Sequence, residues 1–195
     1  MRAVLQANSR MNLTAITDED AFIRDHILDS LAVLPWLPET GSVVDVGSGA
    51  GFPGVPIAIA RPALQVTLLE SSQRKAKFLE TSGLPVVWSR AEDCGRGDGR
   101  DAFDVAVTRA VAPLAVVLEL VLPLVRLGGQ AVLWLGREAL DEEATATRVC
   151  ALLGARSARV VPSASQGRRF LIVDKVESCP ERFPRRPGVA ARRPL

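Results

Sequence analysis

The sequence predicts an α/β fold, with a doubly wound, mostly parallel sheet of seven strands and helices on both of its faces. Short β-branched apolar runs alternate with helix-favouring stretches along most of the 195 residues. Hydrophobic residues make up 48% of the chain and charged residues 24%, which is ordinary for a globular domain. Strands separated by helices form right-handed βαβ units, so we expect a ligand site beyond the carboxyl ends of the strands.

Seven strands are predicted in order along the chain. Residues 43–46 form a β-branched run that ends in a glycine cluster, which is typical of a buried strand turning into a helix. Similar runs predict further strands at residues 65–70, 85–89, 103–108 and 130–135. Residues 159–161 and 170–174 flank a loop and predict a terminal antiparallel pair.

Helices are predicted between these strands. Residues 72–82 carry helix-favouring charged side chains, residues 114–126 form a long apolar helix closed by Gly128 and Gly129, and residues 138–153 form a helix ended by Gly154. The first 40 residues contain helical material that ends in a proline-rich breaker. We therefore predict a helical appendage (1–40), a main domain (41–178) and a basic tail rich in Pro and Arg (179–195).

Composition and spacing exclude several classes of protein. The chain is long enough for one core, and no apolar run reaches the roughly 20 residues that a bilayer span needs. The N-terminus lacks the pattern of a secretion signal, so we expect a cytoplasmic protein. We also expect a monomer. Cys94, Cys150 and Cys179 lie far apart and are expected to be free thiols. With His26 as the sole histidine, we expect no metal site.

The tail carries an uneven share of the charge. The net charge of +2 is too small to indicate a nucleic-acid partner, but residues 181–195 hold five arginines against one acid, interleaved with prolines. Such a segment is expected to resist regular helix and to offer cations to phosphate. A solvated tail without a partner is the alternative.

A glycine-rich turn at residues 45–51 follows the first strand. Its glycines let the backbone turn sharply and approach a ligand closely. Residues 49–54 also fit the G-x-G-x-x-G pattern of dinucleotide-binding proteins. However, Pro53 and Pro56 remove backbone donors that a pyrophosphate needs, and Asp45 repels phosphate while suiting a cationic methionine group. The turn therefore favours S-adenosylmethionine over a nicotinamide dinucleotide.

Acidic residues follow the second and third strands. Glu70 lies 21 positions after Gly49, where a carboxylate can accept both hydroxyls of a ribose. Its alternative role is that of an acid favoured by a helix dipole. Ala91 and Glu92 follow the third strand at the expected level of an adenine, although the pair alone would also fit a solvated loop.

Arg109 follows the fourth strand among apolar residues, at the expected mouth of the site. A guanidinium in such a place needs a partner. Four kinds of partner are possible for Arg109: a cofactor carboxylate, Asp45, a substrate phosphate or a purely structural salt bridge.

Five blocks of sequence occur in an order that resembles the glucose-inhibited division protein B family. The blocks are residues 12–14, 26–31, 45–54, 108–112 and 183–188. This family comprises bacterial guanine-N7 methyltransferases of small-subunit (16S) ribosomal RNA. The resemblance implies a Rossmann-like methyltransferase sheet, S-adenosylmethionine as cofactor and ribosomal RNA as partner, so that residues 41–178 form the methyltransferase domain.

The resemblance also assigns residues. Together with the glycine turn it implies a cofactor-binding set of Gly47, Gly49, Phe52, Glu70, Ala91, Glu92 and Arg109, with Glu70 in place of the family's usual aspartate. It places Asn12, His26, Asp29 and Ser30 on the face that admits the guanosine, and Arg185 and Arg186 toward RNA. A packing role is the alternative for His26. No catalytic proton-transfer residue is expected, because guanine N7 carries a lone pair and no proton.

The chain departs from the family at three places. It starts shortly before the block at residues 12–14, it is shorter between residues 79 and 86, and it has Leu135 where the family has a lysine. The alternatives are therefore a small-molecule methyltransferase, a degenerate member that binds cofactor without catalysis, and a nicotinamide-dependent oxidoreductase. Removal of residues 181–195 is expected to harm methylation of RNA but not of a small molecule. This deletion would therefore distinguish an RNA methyltransferase from a small-molecule methyltransferase.

Overall fold

A computed structural model describes residues 1–109, 112–135, 142–164 and 167–195. One sheet of seven strands has the order β3-β2-β1-β4-β5-β7-β6. The strands are β1 (Gly41–Val46), β2 (Leu64–Glu70), β3 (Val86–Trp88), β4 (Phe103–Thr108), β5 (Val125–Leu135), β6 (Ala155–Pro162) and β7 (Arg169–Lys175). The first five strands pair in parallel, and β7 pairs antiparallel with both β5 and β6. The predicted sheet is thus confirmed.

The sheet is buried on both faces. Val44 and Val46 of β1 pack into one apolar cluster, while Val43 of β1 and Val105 of β4 pack into another. Successive side chains of a strand point to opposite faces, so an uninterrupted apolar run fills two cores at once. Because the central strands are fixed in this way, their carboxyl ends form a rigid rim for a ligand site.

Helices cover both faces. Within the described residues the α-helices are α1 (Arg2–Met11), α2 (Glu19–Phe22), α3 (Asp29–Leu31), α4 (Gly54–Ala60), α5 (Gln73–Leu79), α6 (Ala91–Cys94), α7 (Leu114–Val121), α8 (Glu142–Leu152) and α9 (Val189–Arg192). A π-helical stretch (Ile23–Leu28) joins α2 to α3, and short 3-10 turns occupy Leu34–Trp36, Glu80–Ser82 and Leu122–Leu124. No helix in these ranges combines the length and apolar character needed to cross a bilayer.

The predicted helix over residues 114–126 is too long. Helix α7 ends at Val121 because Pro123 lacks an N–H and cannot continue an α-helix. The chain then makes one 3-10 turn, and β5 begins at Val125 rather than at residue 130. Gly128, with φ +78°, bends the exposed start of this strand instead of closing a helix. For the predicted helix over residues 138–153, residues 138–141 lie outside the described ranges.

A buried lysine fixes the turn between α7 and β5. Lys175 ends β7 and is fully buried. Its Nζ donates to the carbonyl oxygens of Leu122 (2.9 Å) and Val125 (2.6 Å) and to Oδ1 of Asp101 (2.5 Å). The Leu122 carbonyl oxygen also accepts the Val125 N–H within the 3-10 turn, so the lysine adds a second hydrogen bond there and links the turn to the start of β5.

The C-terminal segment, residues 179–195, packs on the domain and is called the strap below. Cys179, Phe183 and Ala190 are buried. The guanidinium of Arg100 donates to the carbonyl oxygens of Cys179 and Phe183, the latter at 2.7 Å. The expectation that this segment resists regular helix is wrong for one turn, since α9 begins after Gly188, whose φ of +77° redirects the chain.

Candidate functional site

The glycine-rich turn lies at the carboxyl end of β1. Gly47, Gly49 and Gly51 have φ values of +76°, +57° and +97°, in the region that residues with a side chain rarely adopt. The Gly47 N–H donates to the carbonyl oxygen of Leu69 at 2.8 Å, which ties the turn to β2. The sequence forms this turn here because glycine removes the steric cost of such a backbone.

Asp45 lies beneath the turn rather than in an open cleft. Its side chain is fully buried, and Oδ2 accepts the Gly54 N–H at 2.9 Å. Oδ1 has no hydrogen-bond partner among the described residues, and burial raises the pKa of Asp45 to about 7. A Cβ on Gly54 would lie 2.5 Å from Leu68 Cδ2 and 2.7 Å from Asp45 Oδ2, so this glycine allows α4 to approach the sheet.

Glu70 joins the glycine turn to the start of α5. Its Oε2 accepts the Gly49 N–H at 2.9 Å and its Oε1 accepts the Ser72 N–H at 2.8 Å. Each carboxylate oxygen has a second lone pair, so both hydrogen bonds leave acceptor capacity toward a ligand. The carboxylate is held in place before any ligand arrives.

A cleft opens beside the turn, with a free volume of about 690 Å³ including its mouth. It is lined by the ends of β1 and β2, the segment after β3, one side of α7, and the strap. The lining residues are Val46, Gly47, Leu69, Ser71, Ser89, Arg90, Ala91, Glu92, Ala112, Val116, Leu120, Gly188 and Ala191. Of the predicted cofactor residues, Gly47, Ala91 and Glu92 line this cleft. Glu70 is adjacent to it, because its chain neighbours Leu69 and Ser71 both line the cleft.

The strap contributes residues that the sequence did not indicate. Gly188 and Ala191 line the cleft, and the Gly188 N–H donates to Oε1 of Glu92 at 2.9 Å. Glu92 is nearly buried, with 7% of its surface exposed. The signal in the sequence is weak: residues 188–191 are free of charge and proline within an otherwise basic segment, as expected for a stretch that packs.

Arg109 and Phe52 belong to a second group of residues. Nη1 of Arg109 donates to the Asp25 carbonyl oxygen at 2.9 Å and to Asp29 Oδ2 at 3.0 Å, and Nη2 lies 3.0 Å from His26 Nδ1. Its guanidinium carbon is 5.7 Å from the centre of the Phe52 ring. Of the alternatives given for Arg109, the structure shows a salt bridge within the protein, and its partner is Asp29 of the N-terminal helical region rather than Asp45.

His26 contacts both Arg109 and Phe52. Its ring stacks on Phe52 at 4.8 Å with an interplanar angle of 9°, and Nε2 lies 2.7 Å from Thr14 Oγ1. Because a guanidinium can only donate, Nδ1 must accept from Arg109, which assigns the proton to Nε2. Burial, and next the charge of Arg109, lower the pKa of His26. The imidazole is thus both packed and part of the group around Arg109.

The other residues of the N-terminal block divide between core and surface. Asp29 and Ser30 are fully buried; Asp29 also forms an ion pair with Arg168 at 3.1 Å, and Ser30 Oγ donates to the His26 carbonyl oxygen at 2.5 Å. Asn12 is exposed at the end of α1, in the left-handed conformation with φ +50°. The structure thus brings His26 and Asp29 to Arg109, while Asn12 makes none of these contacts.

Arg185 and Arg186 point to different surroundings. Glu119 of α7 is fully buried. Its carboxylate accepts three hydrogen bonds from Arg185: from Nε at 2.8 Å, from Nη2 at 2.5 Å and from the backbone N–H at 2.9 Å. This pairing raises the pKa of Arg185. Arg186 is exposed to solvent. The guanidinium of Arg185 is therefore committed to the protein, and that of Arg186 is free to meet a partner.

Comparison with known proteins gives consistent matches. A family model described as rRNA small subunit methyltransferase G matches residues 1–172. Two similar relatives carry the name ribosomal RNA small subunit methyltransferase G. That of Chloroflexus aggregans is 42% identical over 96% of this chain and 84% of its own, and that of Pelotomaculum thermopropionicum is 40% identical over 98% and 86%.

Solved structures share the fold at lower identity. A 16S rRNA N2 G1207 methyltransferase of T. thermophilus, in complex with AdoMet and guanosine, has a TM-score of 0.58 and 22% identity over 78% of this chain and 40% of its own. CalO1, a methyltransferase of calicheamicin biosynthesis with bound SAH, has a TM-score of 0.58 and 19% identity over 83% and 56%. One fold thus serves very different substrates, and structural likeness alone does not select among them.

Proposed function

This chain belongs to the rRNA small subunit methyltransferase G family, and we propose that it transfers a methyl group from S-adenosylmethionine to N7 of a guanine in 16S ribosomal RNA. Identity near 40% over almost the whole chain carries this proposal. The cleft beside the glycine turn supports it, since it lies where this architecture binds ligands. As its substrate is ribosomal RNA, we place the enzyme in the cytoplasm.

The residues around the cleft fit the cofactor. Val46 and Leu69 offer apolar surface to an adenine, and the preset carboxylate of Glu70 can accept ribose hydroxyls. The proposed binding residues are Gly47, Ala91 and Glu92 on the cleft, Gly49 and Glu70 beside it, and Phe52 and Arg109 of the second group. When bound there, S-adenosylmethionine supplies an electrophilic methyl group on a cationic sulfur.

The protein's own contribution is alignment and charge. Guanine N7 needs no general base, so the site has to hold base and methyl group in line. Arg109, whose side chain is 12% exposed, is fixed by the N-terminal helical region before substrate arrives. Its guanidinium pairs with buried Asp29, which also pairs with Arg168, and His26 is kept neutral. A neutral imidazole avoids repulsion of the base, which becomes positively charged on N7 methylation.

We assign RNA binding to the surface around this cleft. The exposed arginines of the strap are Arg182, Arg186, Arg192 and Arg193. Contacts to phosphate supply most of the salt-dependent affinity of such proteins. Asn12, His26, Asp29 and Ser30 are proposed to form the face that admits the guanosine, with the two buried residues shaping that face from below.

Calorimetric titration with S-adenosylmethionine, S-adenosylhomocysteine and NAD tests the cofactor. The variant Gly47→Arg should abolish binding of the first two, because it fills the turn. Gly83→Arg is the matched control, since Gly83 has the same φ of +76° and open space around its missing Cβ. Binding of NAD alone would overturn the proposal.

Transfer of labelled methyl to ribosomal RNA that lacks the modification tests the reaction. Borohydride and aniline cleave RNA at N7-methylguanine, so a single cleavage in 16S RNA is expected after the reaction. Cofactor binding without transfer, either to free RNA or to small subunits, would instead identify a degenerate member. Transfer to a small acceptor alone would identify a small-molecule enzyme.

A further inference from the structure

We infer that the strap forms a closing wall of the cofactor cleft, and that Arg185 is the positioning residue that holds it there. The inference rests on the proposed function, in which this cleft holds S-adenosylmethionine. Two acidic side chains attach the strap beside the cleft: Glu119 binds Arg185, and Glu92 accepts the N–H of Gly188, which itself lines the cleft.

The first attachment is the pair of Arg185 with Glu119. Both carboxylate oxygens are used, and the backbone N–H of Arg185 adds a third hydrogen bond. Removing one member of a buried ion pair is costly because the remaining charge is left unpaired. Glu119 lies on α7 next to Leu120 and one turn from Val116, which both line the cleft. The attachment therefore adjoins the cleft wall.

The second attachment is the Gly188 N–H on Glu92. Glu92 lines the cleft from α6, the helix that follows β3, and its Oε1 accepts the Gly188 N–H. The positive φ of Gly188 turns the chain into α9, which buries Ala190 and places Ala191 on the cleft. Glu92 thus contacts the strap and, in the proposed function, the cofactor as well.

The start of the strap is fixed independently of these two acids. Phe183 is 4% exposed within a core cluster, and Arg100 donates to its carbonyl oxygen. The position of residues 185–188 relative to the cleft consequently depends on Glu119 and Glu92, while Ala190 is buried and Leu195 packs against the core further along the strap. Loosening this part should open the cleft and leave the sheet intact.

The adjacent arginines provide a matched test. Arg185→Met should weaken S-adenosylhomocysteine binding at least tenfold in calorimetric titration, and it should raise KM for S-adenosylmethionine more than it lowers kcat. Arg186→Met should change the same Kd less than twofold, because its side chain is exposed. In filter binding with 16S RNA, Arg186→Met should be the weaker binder of the two when both are saturated with S-adenosylhomocysteine.

Hydrogen exchange of the wild-type protein gives a readout that does not depend on a variant's folding. Saturating S-adenosylhomocysteine should slow exchange of the amides at residues 188–192, together with those of the glycine turn. Protection of the turn without the strap, or equal Kd values for Arg185→Met and wild type at equal Tm, would overturn the inference alone. Failure of the wild type to bind S-adenosylhomocysteine would overturn the proposed function as well.

Discussion

The imidazole of His26 is surrounded by groups that control its charge. Arg109 donates to Nδ1, Thr14 Oγ1 lies at Nε2, and Asp25, Asp29 and Arg168 complete the charged environment. Protonation of Nδ1 would put an N–H against the N–H of Arg109. The neutral ring is therefore required for the contact that helps hold Arg109 in position.

This arrangement predicts a loss of stability in acid. The folded-state pKa of His26 is lowered from 6.5, so the unfolded chain binds more protons between the two pKa values. The contribution of neutral His26 to the free energy of unfolding is present above pH 6.5 and is lost as the pH falls through the folded-state pKa. The free energy of unfolding falls by less than about 1.4 kcal/mol per pH unit in this range. Denaturant unfolding of the unliganded protein between pH 8 and pH 5 measures it.

His26→Asn is the matched variant, because an amide oxygen can accept from Arg109 and does not titrate in this range. The difference in free energy of unfolding between wild type and variant should shrink as the pH falls. Comparison with the variant also removes the effect of Asp45, whose raised pKa of about 7 acts with the opposite sign. A difference that stays constant with pH would rule out this role for His26.

Individual side-chain partners are where the sequence is least informative. Arg185 and Arg186 are equivalent in the sequence, which predicts RNA contacts for both. The signal that separates them lies elsewhere, at Glu119 in the middle of an apolar helix, since a buried acid needs a cation. Nothing in the spacing shows that Arg109 meets His26, because the two are 83 positions apart.

At the scale of elements, the approach of α4 to the sheet depends on one glycine. Gly54→Ala would place a Cβ within 3 Å of both Leu68 and Asp45, which sit in the core and cannot move freely. Overpacking of this kind costs about 1–3 kcal/mol. For a chain of this size that corresponds to a fall in Tm of roughly 2–12 °C in differential scanning calorimetry.

Gly97→Ala is the control for that substitution. A Cβ at Gly97 would make its nearest contact at 3.4 Å, an ordinary van der Waals distance. Its Tm should stay within about 2 °C of wild type, as for other surface substitutions. If Gly54→Ala melts like this control, α4 does not pack on β1 as closely as described.

The elements themselves were largely predictable. All seven strands occur where β-branched runs indicated them. Burial on both faces demands such runs in the central strands, whereas the edge strand β3 leaves Val87 and Trp88 exposed. Helix ends were harder to predict. Pro123 stops α7 early, and the π-helical stretch at Ile23–Leu28 has no distinctive residue pattern. The docking of the strap depends on two acids from distant elements, which no local pattern reveals.

For the molecule as a whole, RNA affinity has to come from local charge, since the net charge is only +2. The double variant Arg186→Gln/Arg193→Gln should weaken binding of 16S RNA and reduce the slope of log K against log salt by about two, or one for each phosphate that is no longer neutralised. The matched control is Arg126→Gln/Arg159→Gln, whose arginines border a separate depression and pair with Asp104 and Asp174. Equal slopes for both variants would place the RNA elsewhere.

Deletion of residues 181–195 cannot separate RNA methylation from small-molecule methylation, contrary to the expectation from the sequence. The strap carries the exposed arginines and also lines the cleft through Gly188 and Ala191. A truncated protein would lose both features together. Point variants on the outer side of the strap are the appropriate substitute.

The position of β7 has a consequence for the order in which the molecule assembles. β7 inserts between β5 and β6, so β6, earlier in the chain, joins the sheet through a strand made after it. Until residues 169–175 dock, β5 presents an open apolar edge, which is a site for pairing with other chains. The same docking event delivers Lys175 to the turn after α7. It follows that the half of the sheet that supports α7 and the strap is complete only after the last strand in the chain has docked.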